Sequence, residues 1–222
     1  MFSDCSSLKD IKSLKNWNVS NCKDFSYLFN ECSTLSDING LENWNVSNAE
    51  NLKYMFSGCT SLTDIKSLKN WNVSNWKDFS YLFSDCKKLS DIKGLENWNV
   101  SNGENFSYMF LRCSSLKDIK ALENRNVSNG DNFECLFDDC EALSDIKPLE
   151  KWNVSNVSNF KYMFFRCSSL KDIKALKSWN VSNISDIRGM FRECDNLLDF
   201  SPLENWKVSK EKLKFLKKSK YS

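Results

Sequence analysis

Histidine is absent from this 222-residue chain, and proline occurs twice and glycine six times. Without histidine there is no Ser–His or Cys–His nucleophile pair and no histidine-held metal, and no C-x-x-C pair supplies a thiolate site instead. Lys and Arg number 31 against 29 Asp and Glu, so no global field draws in nucleic acid or an acidic membrane. No run of about 18 apolar residues is present, which argues against membrane insertion. The start Met1-Phe2-Ser3-Asp4-Cys5 also lacks the basic-then-apolar pattern of an export signal. No Ser/Gly/Pro-rich stretch separates one region from another, so residues 1–222 read as one domain.

What the chain has instead is a period of 27 residues. Cysteine stands at Cys5, Cys32, Cys59, Cys86, Cys113, Cys140, Cys167 and Cys194 with no insertion between them. Tryptophan keeps another phase at Trp17, Trp44, Trp71, Trp98, Trp152, Trp179 and Trp206, with Arg125 in its place in the fifth unit. The unit reads C-x-x-L-x-D-I-x-x-L-x-x-W-N-V-S-N-x-x-x-F-x-Y-M-F-x-x. Units one and three share K-S-L-K-N-W, and units two and four share G-L-E-N-W, a pattern expected from duplication of a 54-residue pair.

Within a unit the apolar period changes once. Phe25, Leu28, Phe29 and Cys32 fall at i, i+3, i+4 and i+7, which predicts a helix starting after Ser20-Asn21. Leu8–Lys12 is too short for a helix and reads as a strand with Ile11 inward; Trp17-Asn18-Val19 reads as a second short strand. One such unit cannot bury its apolar face alone, whereas stacked copies share a continuous core. The expected architecture is an α/β repeat solenoid of eight units.

The run Met55-Phe56-Ser57-Gly58-Cys59-Thr60-Ser61-Leu62, together with W-N-V-S-N, resembles the BspA-like leucine-rich repeat surface proteins of bacteria and some protists. The likeness extends from Phe2 to Val208. It implies a leucine-rich-repeat fold and a role in adhesion or other protein contacts at a cell surface.

In a stack each phase becomes a column of side chains. The cysteine column belongs to the apolar phase, where a free thiol acts as a small hydrophobe, although adjacent members lie within disulfide reach. Cys22 and Cys135 lie outside the column and are the expected exposed thiols. Asp10, Asp37, Asp64, Asp91, Asp118, Asp145, Asp172 and Asp199 form an acidic column. Two residues on, Lys12, Lys66, Lys93, Lys120, Lys147 and Lys174 form a basic one. The resulting zwitterionic face serves either as a structural ladder or as a binding surface, and its lysines disfavour calcium. Asn18, Asn45, Asn72, Asn99, Asn126, Asn153 and Asn180 each begin N-V-S, a glycosylation sequon; hydrogen bonding to turn backbone is the simpler reading.

Tyr27, Tyr54, Tyr81, Tyr108 and Tyr162 form an outward row broken by Cys135 and Gly189, suited equally to partner binding and to packing between units. Trp76 has no repeat counterpart and is expected to be an exposed anchor near Arg125. No constellation of catalytic type occurs in one unit alone, and no cofactor is called for. The function expected is a non-catalytic scaffold for a protein or glycan, with an intracellular scaffold or an RNA-reading repeat as alternatives. Two expectations concern the ends: residues 209–222 form a basic capping helix, with Leu213 and Leu216 in core phase. Unit one instead shows an uncovered apolar edge that favours self-association or continuation of the array upstream.

Overall fold

A computed structural model describes residues 1–217. Consecutive units are bonded through their backbones, and this bonding replaces the helix expected over Phe25–Cys32. The amides of Phe25, Tyr27, Phe29 and Glu31 donate to the carbonyls of Asn51, Lys53, Met55 and Ser57 in the next unit at 2.8, 3.0, 2.9 and 2.7 Å. Those of Leu28, Asn30 and Cys32 donate three residues back within their own unit. An α-helix needs every amide for itself, so a segment that gives half of them to its neighbour cannot be one. Tyr27 and Glu31, four residues apart, have φ of 56° and 58° and swing the chain through two left-handed corners. Phe25, Phe29 and Cys32 are buried and Leu28 half-buried, so the apolar phase is as read. Its carrier is a double turn.

The strand readings also change. Isolated parallel bridges join Asp24 to Asn51, Asp78 to Asn105, Asn105 to Asn132, Asn132 to Asn159 and Asn159 to Asp186, one residue before the phase held by Phe25, Leu52, Phe79, Phe106, Phe133, Phe160 and Ile187. The Leu-x-Asp-Ile segment contributes only the bridges Asp37–Asp64 and Asp91–Asp118 among the described residues. Beyond the acidic residue the chain turns into a short 3-10 helix, at Lys12–Asn16, Lys66–Leu68, Lys93–Leu95, Lys120–Leu122, Lys147–Leu149, Lys174–Leu176 and Ser201–Leu203. The carboxylate starts the turn by accepting the amide two residues on, as Asp64 does from Lys66 and Asp172 from Lys174, both at 2.7 Å. Trp17-Asn18-Val19 is another such corner, where Asn18 Oδ1 accepts both the amide and the hydroxyl of Ser20.

The core is a set of stacked columns. Phe29, Phe56, Phe83, Phe110, Phe137, Phe164 and Phe191 lie ring on ring at 5.6–5.9 Å. Each cysteine of the column from Cys32 onward is buried and points its thiol at a phenylalanine carbonyl 30 residues back, Cys86 at Phe56 for example (3.2 Å). Burial pushes these thiols up, Cys32 to about 11 and Cys194 to about 12, so they stay protonated. From Trp44 onward the tryptophans of the column bury their rings and donate Nε1–H to a leucine carbonyl one unit back, Trp71 to Leu41 at 2.8 Å and Trp98 to Leu68 at 2.9 Å. In the N-V-S-N corner the second Asn spans the units, as Asn102 Nδ2 does to the Ser74 carbonyl at 2.7 Å. Helix α1, Lys210–Lys217, buries Leu216 and half-buries Leu213, and Lys212 Nζ reaches the Ile184 carbonyl at 2.6 Å. The end of the expected cap, residues 218–222, lies outside the described residues. Among the described residues no helix is long and apolar enough to cross a membrane.

Candidate functional site

Tyr27, Tyr54, Tyr81 and Tyr108 stack face to face with ring centroids 4.7, 4.3 and 4.4 Å apart. Each sits at a left-handed corner, φ 56° to 61°, which directs its ring off the turn and along the stack. Their faces cover one another and their hydroxyls are linked along the row, Tyr81 to Tyr54 and Tyr108, which leaves the ring edges facing outward: Tyr27 is exposed and the next three half-buried. A row held this way has little rotamer freedom left to lose on binding. Tyr162 stands apart, its ring against Phe165 (5.3 Å) and over the missing Cβ of Gly189.

Trp76 does not join this surface. It is 3% exposed, donates Nε1–H to the Val46 carbonyl at 3.3 Å, and packs edge-on against Trp71 and Trp98. The same phase in the neighbouring units holds Ala49 and Gly103, small residues that leave room for an indole. An unrepeated Trp here fills space. Cys135 is likewise buried, so of the two thiols outside the column only Cys22 is exposed.

Where Cys135 interrupts the tyrosine row, unit five gathers groups that other units lack. The Tyr108 hydroxyl hydrogen-bonds Glu134, which also receives Lys161 Nζ at 2.8 Å and Asn159 Nδ2 at 3.1 Å. Burial works to raise Glu134, but these hydrogen bonds hold its carboxyl below the ordinary range. Asp138, hydrogen-bonded to the Cys135 thiol and near Arg112 and Arg166, is pushed up to about 6 by burial. The Cys135 thiol is pushed far up by burial and the adjacent carboxylate, so no thiolate nucleophile forms. Sequence reading passed over Glu134 and Asp138; their signal was departure from phases held by Ser or Lys and by Asn or Ser in several other units.

Arg125 is half-buried, with Nη1 on the Trp98 carbonyl at 2.9 Å and Nε buried without a partner. On the acidic face, Lys66, Lys93 and Lys174 pair with Asp64, Asp91 and Asp172 of their own turns at 2.9, 3.8 and 3.0 Å. An open cleft of about 300 Å³ runs there past Asp118, Lys120, Glu123, Asp145 and Lys147, with the two signs alternating along its walls. Among the described residues no group of three or more Cys, Asp or Glu could hold a metal ion.

Residues 1–120, 36–145 and 116–216 match the family model described as "Mycoplasma protein of unknown function, DUF285". The chain belongs to this family. Among solved structures it is similar to a leucine-rich repeat protein from Bacteroides ovatus, 14% identical over 88% of this chain and 79% of that one, with a TM-score of 0.23. No curated protein matches. For this DUF285 chain the periodic stack and its departures in unit five are therefore the basis on which function is argued.

Proposed function

We propose that this DUF285 chain is a non-catalytic solenoid scaffold that binds a protein partner along its tyrosine row. The observation that carries the reading is the pre-ordered stack Tyr27–Tyr54–Tyr81–Tyr108, whose hydroxyl edges line one side of four successive units. Tyrosine gives contact area and a hydrogen bond at low entropic cost. The resemblance to BspA-like surface repeats supports adhesion as the setting. Against catalysis stand the lack of histidine and the protonated state of the buried thiols.

The test compares wild type with Tyr54→Phe/Tyr81→Phe, which keeps the stack and removes two hydroxyls, and with Tyr54→Ala/Tyr81→Ala, which removes both rings. Partners captured by crosslinking are purified, and affinity and melting temperature are measured together. Expected is a loss of about tenfold in affinity for the alanine pair and a smaller loss for the phenylalanine pair, the latter without a change in melting temperature. Equal affinity in all three forms would overturn the reading, as would capture confined to a glycan array. A salt-dependent affinity for single-stranded RNA would favour the RNA-reading alternative.

A further inference from the structure

The fifth unit breaks the tryptophan column, and four observations mark the break as an incompletely filled slot. First, the chain takes another path: Glu123 is extended (ψ 135°), whereas its counterparts Lys69, Glu96, Glu150, Lys177 and Glu204 are helical, and Asn124 adopts φ 60°. Second, Leu122 is half-buried, while the leucines at its phase are 0–5% exposed. Third, an apolar cavity of about 30 Å³ remains between Trp98 and Trp152, walled by Leu95, Phe106, Met109 and Val127. Fourth, hydrogen bonds are left over. The leucine carbonyls before and after it accept an indole N–H from the following unit, as Leu68 does from Trp98 and Leu122 from Trp152, whereas Leu95 keeps only the backbone amide of Trp98. Arg125 Nε, a buried donor, has no acceptor.

Together these describe a place shaped for an indole, with the Leu95 carbonyl as an acceptor and the Arg125 guanidinium partly inside it. We propose that the slot of unit five binds a planar aromatic acid: the ring replaces the missing tryptophan, a ring N–H donates to the Leu95 carbonyl, and the carboxylate pairs with Arg125. A cavity of about 30 Å³ holds little more than a water, so the guanidinium itself fills part of the slot. Arg125 must release the Trp98 carbonyl and turn toward solvent, where its planar fork meets a carboxylate through two N–H donors. Its half-exposed position permits that movement. Binding then satisfies Nε and Leu95 at once, which a ring without an acid or an acid without a ring cannot do. The site is independent of the tyrosine row and stands or falls separately from it.

The probe is indole-3-acetate, followed by isothermal calorimetry and by the tryptophan indole N–H resonances. Expected is saturable one-to-one binding that moves the signals of Trp98 and Trp152 and leaves Trp17, Trp44 and Trp206 in place. Indole, which lacks the acid, and naphthalene-1-acetate, which lacks the N–H, should each bind several-fold more weakly. Arg125→Trp fills the slot and should abolish binding while raising the melting temperature; Arg125→Lys keeps the slot, loses the fork and should weaken binding about fivefold. The proposal is overturned if wild type shows no binding at millimolar ligand, if Arg125→Trp binds as wild type does, or if the terminal tryptophans shift with the central ones.

Discussion

Asp138 is a half-buried carboxyl set into a turn whose equivalents one unit away are the apolar Leu111 and Phe165. Burial dominates there and raises it to about 6; the Cys135 hydrogen bond and the charges of Arg112 and Arg166 offset this in part, and Asp139 adds to it. The folded chain therefore holds this proton more tightly than the unfolded chain does. The stability this confers is fully present below the unfolded value near 4 and is lost as pH rises through about 6. Asp138→Asn keeps the shape without the charge. At pH 7 it should stabilise by about 1 kcal/mol, a figure reduced for partial solvent exposure, and at pH 4 the gain should vanish. Urea melts of both forms across that range check this; a gain independent of pH, or a loss at pH 7, would show that ionisation of Asp138 is not what costs stability. Trp76 shows how context decides a side chain's role. Read alone, an unrepeated Trp suggests an exposed anchor, yet the small residues at the same phase of adjacent units make it core.

The turn over Phe25–Cys32 marks the boundary of what was legible beforehand. Spacing at i, i+3, i+4 and i+7 identifies which residues face inward, and they do. It does not distinguish a helix from two left-handed corners in succession, because both bring the same positions to one side. The distinguishing signal was present at two places: Gly58 at the Glu31 phase and Gly189 at the tyrosine phase, both with positive φ (74° and 63°), where glycine alone escapes the steric cost. At Gly189 the Tyr162 ring has settled so that an added Cβ would lie 2.3 Å from it. Gly189→Ala should therefore cost about 1–2 kcal/mol, from the left-handed backbone and the displaced ring. Gly189→Tyr should cost less, since it supplies a ring on which Tyr162 can stack as Tyr81 does on Tyr108. Thermal melts of the two variants decide it: alanine tolerated better than tyrosine would mean the row is not held by stacking.

A stack in which each unit touches only its neighbours has stability that is a sum along one line, so its weakest interior junction governs how it opens. Broken contacts collect around unit five. Arg125 replaces a tryptophan, Leu122 is only half-buried, a cavity lies between Trp98 and Trp152, and Asp138 places a carboxylate in a half-buried position. The phenylalanine and cysteine columns run unbroken through unit five, so the fault lies on its tryptophan side. The outermost unit is worn for a different reason, with Trp17 42% exposed and Phe2 stacked on Phe29 at 5.5 Å from one side. End fraying and an interior fault make different predictions. Fraying alone gives amide protection that rises steadily inward from Leu8, whereas a fault gives a second minimum at the centre. The buried-facing amides of Arg125, Gly130 and Leu122, which donate to Leu122, Val127 and Ile119, should exchange faster than those of Trp71, Trp76 and Leu68, which make the same bonds in unit three. Arg125→Trp should remove the minimum, because it restores the indole, the Leu95 hydrogen bond and the filled volume together. A protection profile with no central minimum in wild type would show that the departures of unit five are absorbed locally without weakening the stack.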